Sequence, residues 1–196
     1  MVGTIVPVVY RNRELGVSSW APLGHFLGAV VGGMVLGAGT WVVSEVALPR
    51  DRSGGLLVLG AVAALLALHE LRILSFPMPT STWQVPASWR SWRSDTLMAT
   101  AFGFGLGMGV LTRVSSYAFY ALVGGLALSS DVLVASAAGA LYGASRAAWV
   151  AFLVRHQHAT AASDLIAVLL ARSGPVHYLN GLVLMAVGGL LFGGSV

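Results

Sequence analysis

The sequence predicts an all-α integral membrane protein: a compact bundle of five transmembrane helices, or six if one long segment is divided, with a two-fold internal repeat and a broken helix. Three observations carry this. Of 196 residues, 57% are hydrophobic and 9% charged, against about 25% charged in an ordinary soluble domain. The apolar segments are rich in Leu, Val, Ala and Gly and lack the period-2 alternation of an outer-membrane barrel. Short polar breaks also divide the chain into pieces near the ~20 residues that cross about 30 Å of hydrocarbon. One transmembrane domain over 1–196 suits the length.

Five spans follow in order: 22–48, 54–76, 97–128, 132–154 and 176–194. Pro49-Arg50-Asp51-Arg52-Ser53 separates the first two, and Ser129-Ser130-Asp131 the third and fourth. Between spans two and three, 77–96 reads as an interfacial loop. It carries Pro77, Pro79 and Pro86 with Trp83, Trp89 and Trp92, rings suited to headgroup level. The third span is too long, since 32 residues at 1.5 Å would reach about 48 Å. The sequence Thr112-Arg113-Val114-Ser115-Ser116 is its expected break, after the glycines 103, 105, 107 and 109; irregular backbone at that depth must be buried in protein or line a wet cavity. Segment 159–172 has Leu165, Val168, Leu169 and Arg172 at helical spacing, and is expected to lie along the inner surface.

The charge pattern sets orientation. The chain has no lysine. With a cytoplasmic N-terminus, Arg11, Arg13, Arg72, Arg90, Arg93, Arg155 and Arg172 lie at or near the inner side and Arg50 and Arg52 outside, which predicts N-in, C-out in a bacterial cytoplasmic membrane. A net charge of +4 in such loops implies no nucleic acid. Absent cysteine excludes disulfides and thiol chemistry, and no cofactor or metal is implied. His156 and His158 lack a carboxylate or thiol at ligand spacing, and Met1 to Trp20 lacks the order of a cleavable signal peptide.

Arg113 and Arg146 stand out because an arginine at a helix centre costs roughly 2.5 to 3.5 kcal/mol to insert. Arg113, with Thr112, Ser115 and Ser116, reads either as an anion-attracting gate or as a side chain snorkelling to an interface. Arg146 reads as a substrate contact or as half of a fixed pair with Glu70 or Glu45. His69-Glu70-Leu71-Arg72 reads as a proton relay or, with more weight, as a solvated helix end; Glu45 reads as interfacial, and His25 and His177 as interfacial or packed. The spacings Gly28/Gly32, Gly33/Gly37, Gly105/Gly109, Gly139/Gly143 and Gly189/Gly193 read as helix-packing seams.

A shift of 76 residues lays Phe26 on Phe102, Gly33 on Gly109, Trp41 on Tyr117 and Leu65 on Leu141, and sets Glu70 opposite Arg146. Three motifs in the second half, Phe102-Gly-Phe-Gly-Leu-Gly-Met-Gly-Val-Leu-Thr112, Leu141-Tyr-Gly-Ala-Ser-Arg146 and Asn180-Gly-Leu-Val-Leu-Met-Ala-Val-Gly-Gly-Leu190, resemble the transmembrane family of cytochrome c biogenesis and thiol-disulfide electron carriers over about residues 97–194. That resemblance implies two inverted three-span repeats. The family's redox cysteine has no counterpart, since Arg-Val-Ser-Ser follows Thr112, so the scaffold carries over and the chemistry does not.

The expected function is therefore non-enzymatic: transport of a small, anionic solute along Thr112, Arg113, Ser115, Ser116 and Arg146, with Glu70, His69 and Glu45 as charge partners or proton relay. The alternative is a non-catalytic membrane subunit that docks a partner protein through its glycine faces, the Trp-rich loop and segment 159–172; a membrane-protein partner or a homo-oligomer is the matching partner expectation. A lipid-modifying enzyme would have only His156, His158 and Asp164 to work with.

Overall fold

The computed structural model describes residues 20–47, 52–77, 94–109, 117–155 and 173–193. All regular structure among them is helical: α1 (Ala21–Ala47), α2 (Arg52–Glu70), α3 (Asp95–Met108), α4 (Ala118–Ala127), α5 (Val132–Arg155) and α6 (Ser173–Gly193). The interfacial loop from 78 to 93, the break residues 110–116 and the surface segment 159–172 lie outside the described residues.

Among the described residues, α1 with 27 residues is the one helix long and apolar enough to cross a membrane unaided. The expected five or six such spans are not supported among the described residues, where the other apolar helical stretches are Gly54–Glu70, Ala118–Ala127, Val132–Ala148 and His177–Leu190. The long stretch 97–128 forms two helices, of 14 and 10 residues. At 1.5 Å per residue these reach about 21 and 15 Å, each well short of the hydrocarbon thickness.

Contacts divide the chain into two compact units of interleaved segments. The first joins the N-terminal part of α1, up to Gly39, with α3 and α5; the second joins the last turns of α1, from Thr40, with α2, α4 and α6.

In the first unit, glycine lets backbones meet on two sides of α1. A Cβ at Gly28 or Gly32 would land on the carbonyls of Thr100 and Phe104 in α3, and one at Gly103 or Gly107 on those of His25 and Ala29 in α1. On the α5 side, Gly33 and Gly37 abut the carbonyls of Gly139 and Ala135, while Gly139 and Gly143 abut those of Gly33 and Ala29. The numbering rises together along α1 and α3 and in opposition along α1 and α5, so α3 runs parallel to α1 and α5 antiparallel. Such seams bring main chains within dispersion and Cα–H···O range without needing a large apolar side chain. Ala21, Ala99, Leu106 and Val150 pack beside them with Phe102.

Three of the glycine pairs expected to form seams do so. On α3 the seam is Gly103/Gly107 rather than Gly105/Gly109, because Gly109 ends the helix in the left-handed region at φ 67°. A Cβ at Gly189 would meet open space.

In the second unit, α6 runs antiparallel to α2: Gly181 faces Leu71 and Ala67, and Gly188 faces Gly60 and Ala64. Leu66, Ala67 and Leu184 form the core, covered by Phe76, Tyr117, Ala118, Tyr120 and Ala121. Glycines also admit side chains here, with Leu59 against Gly124 and Leu128 against Gly55.

α2 stops at Glu70, earlier than its apolar pattern suggests, and the hydrogen bonds give the reason. The amide of Ile73 donates to the Leu68 carbonyl and that of Arg72 to the His69 carbonyl, both at 2.9 Å. This is a Schellman stop, and its left-handed position is filled by Arg72 at φ 59° instead of glycine. Left-handed backbone costs a non-glycine residue roughly 1–2 kcal/mol, offset in part by the entropy glycine loses on folding. Arg72→Gly is therefore expected to stabilise the unit by about 0.5–1 kcal/mol, read as a higher thermal midpoint in detergent; a lower midpoint would mean that the Arg72 side chain itself holds the turn.

Candidate functional site

The two short helices set the problem that the charged residues solve. An α-helix leaves four carbonyls unpaired at its C-terminus and four amides at its N-terminus, and carries about half a negative and half a positive charge at those ends. α3 ends at Met108 and α4 begins at Ala118, so both ends fall within what the sequence reads as one apolar segment.

Arg146 serves the first end. Its Nη1 donates to the carbonyl of Leu106 at 3.1 Å and to the hydroxyl of Tyr142, one turn earlier on α5, at 2.9 Å. The guanidinium also lies over the Tyr142 ring, 5.5 Å from its centroid. Leu106 already accepts from the Gly109 amide at 3.2 Å, so the guanidinium takes the second lone pair of a helix-terminal carbonyl. Two bonds from a charged donor contribute about 1.5–3 kcal/mol each, enough to offset an insertion cost of roughly 2.5–3.5 kcal/mol.

Glu70 serves the second end. It is 2% exposed, and its Oε1 accepts from the backbone amide of Tyr117 at 3.0 Å. Tyr117 is the N-cap of α4 and makes no side-chain cap of its own, so the carboxylate of α2 supplies both the acceptor and the negative charge that this terminus favours. The other oxygen, Oε2, meets Nδ1 of His177 near the start of α6 in an ion-pair contact. At the far end of α4, the Ser44 hydroxyl sits 2.6 Å from the Ala127 carbonyl and 2.7 Å from that of Trp41. Its single proton serves one of them at a time.

His69 builds the wall beside Glu70. Its ring packs 4.6 Å from Phe76 and edge-on to Tyr117 at 4.3 Å, and its Nδ1 accepts from the Phe76 amide at 3.4 Å. That bond places the ring proton on Nε2. The chain after Glu70 thus folds back over its own helix end, which buries the carboxylate.

Several expectations change here. Glu70 is not at a solvated helix end, and its partner is His177, which the sequence marks only as isolated. The hydrogen bonds of Glu70 and of Arg146 given above each lie inside that residue's own unit. Glu45 is exposed, between Val43 and Val46 at 65% and 85% exposure. Thr112, Arg113, Ser115 and Ser116 lie outside the described residues, as do His156, His158 and Asp164. Tyr142 was legible as the i−4 neighbour of Arg146; His177 had no local signal. His25 is 1% exposed beside Phe102, with both ring nitrogens buried. Among the described residues no group of three or more His, Asp or Glu is placed to hold a metal ion.

The chain is similar to two proteins named methylamine utilization protein MauF. To that of Methylophilus methylotrophus it is 31% identical over 137 residues, 66% of this chain and 47% of the relative. To that of Methylobacillus flagellatus it is 30% identical over 135 residues, 64% of this chain and 45% of the relative. The aligned part thus spans about half the length of these curated relatives. No family model matches the chain, and no solved structure matches it. These findings overturn the resemblance to cytochrome c biogenesis and thiol-disulfide carriers: the similarity leads to proteins of a different name. The transporter reading is corrected with it. Its relatives are named for methylamine utilization, and Arg146, one of the two arginines it rests on, is engaged with a helix terminus.

Proposed function

We propose that this chain is a non-catalytic membrane protein that supports methylamine utilization by docking a partner protein. The observation that carries the reading is the similarity to the two MauF proteins; the engagement of Arg146 and Glu70 in helix ends supports its non-catalytic character. A buried carboxylate aimed at substrate chemistry would be left with acceptor capacity facing a cavity, whereas Glu70 faces the amide of Tyr117 and the ring of His177.

Membrane insertion is part of the same proposal. α1 is long enough to cross. The other helices present large apolar side chains outward, among them Val58, Leu141 and Leu190 at 65%, 72% and 76% exposure, a surface that fits lipid or a partner helix better than water. Further crossings are proposed for α2, α5 and α6. Reporter fusions after Ala47 and after Glu70 should report opposite sides of the membrane, as should fusions after Ala127 and after Arg155; one-sided reporters throughout would overturn the multi-pass arrangement.

The functional test is growth. Disrupting the gene should abolish growth on methylamine while leaving growth on an unrelated carbon and nitrogen source unchanged, and a copy supplied in trans should restore it. Undiminished growth on methylamine would sink the proposal.

A further inference from the structure

Three helices of the second unit meet at the Glu70 carboxylate. Glu70 ends α2, its Oε1 accepts from the Tyr117 amide that opens α4, and its Oε2 meets Nδ1 of His177 near the start of α6. The two members of this ion pair differ in their access to water: the carboxylate side chain is 0% exposed and the imidazole 33%. A proton exchanging with solvent therefore enters and leaves through His177. Histidine is the one side-chain type whose charge ordinarily changes between about pH 5 and 8. The other titratable or charged groups at this end of the unit are His69, the exposed Arg72 of the turn that closes α2, Tyr117 and Tyr120 of α4, and Tyr178 of α6. Arg52 stands at the opposite end of α2, and Glu45 follows Ser44, which meets the last residue of α4. The Nδ1 of His69 is occupied by the Phe76 amide, so His177 is the histidine whose proton faces the carboxylate.

We infer that Glu70 and His177 form a proton-operated clamp. With its proton, His177 presents a cation to the buried carboxylate, which fixes the start of α6 and, through Glu70, the cap of α4. Without it, both contacts loosen together. A hydrogen bond between ions is roughly twice as strong as one between neutral groups, and a buried charge is costly unless it is paired. Raising the pH through the histidine range removes the cation from beside Glu70. The carboxylate then keeps its charge in surroundings that exclude water, which favours its withdrawal from the Tyr117 amide. The clamped state therefore belongs to the acid side of that range and the released state to the alkaline side. The clamp goes beyond the partner-docking proposal and requires no partner.

The test follows hydrogen exchange of the full chain in phosphatidylcholine nanodiscs between about pH 5.5 and 8.5, each rate divided by the intrinsic rate of that amide at the same pH. Protection of Tyr117 should fall about tenfold as the pH rises, the difference between a charge-assisted and a neutral hydrogen bond. Protection of Gly139 and Ala140, in the first unit, should change less than about twofold. H177Q keeps a neutral donor for Glu70 and removes the titrating group, so its Tyr117 protection should stay within about twofold across the range. E70Q keeps an oxygen for the Tyr117 amide and removes the buried charge, and should be equally flat. A wild-type profile that is flat or rises with pH overturns the clamp, as does a wild-type fall that persists in either variant or that Gly139 and Ala140 share.

Discussion

Gly33→Val is expected to prevent the first unit from assembling. The new Cβ would occupy the position of the Gly139 carbonyl oxygen on α5, and that atom belongs to a helix backbone that has no rotamer to change. The helices must separate, which breaks the reciprocal contacts of Gly37, Gly139 and Gly143 together. Overpacking of a close core costs about 1–3 kcal/mol and more where backbone must move; a seam with no large side chains to repack belongs at the top of that range. The expected readout is loss of the monodisperse peak in detergent size-exclusion chromatography. Gly39→Ala is the control: its Cβ meets open space, and the better helix propensity of alanine should stabilise by up to about 1 kcal/mol. Equal behaviour of the two variants would show that the seam does not hold the unit.

Glu70→Ala is expected to cost about 1–3 kcal/mol, the range for leaving a buried hydrogen-bonding group, here the part-buried Tyr117 amide, without its partner. It leaves the Tyr117 amide and the His177 ring without the carboxylate that both face. Glu70→Gln keeps an oxygen for the Tyr117 amide and loses the charge, so about half the cost is expected. Hydrogen exchange at Tyr117 separates the two contributions. Protection should be lost in Glu70→Ala and retained in Glu70→Gln, alongside thermal midpoints falling in the same order. Protection retained in both variants would remove Glu70 from its assignment as the cap of α4.

Much of the helical organisation was legible residue by residue. α1 and α5 begin and end within one or two positions of their apolar patterns, because polar clusters at Pro49–Ser53 and Ser129–Asp131 bracket them. The interruption of the stretch 97–128 was legible from its length alone. The end of α2 was not. Ile73 and Leu74 continue the apolar pattern, while the stop depends on a left-handed Arg72 that no sequence preference announces.

The sequence by itself determined the all-α class, the absence of thiol chemistry, the glycine spacings that permit close packing, and the identity of the few charges that apolar surroundings make costly. These follow from local pattern and from transfer cost, which are properties of a segment and need no knowledge of its neighbours. Only the tertiary structure decided what those charges do. Arg146 meets the Leu106 carbonyl 40 positions away, Glu70 the Tyr117 amide 47 positions away, and His177 is 107 positions from Glu70. Spacing within a helix carries no information over such separations. Folding gave each of these charges the end of a short helix with the opposite partial charge.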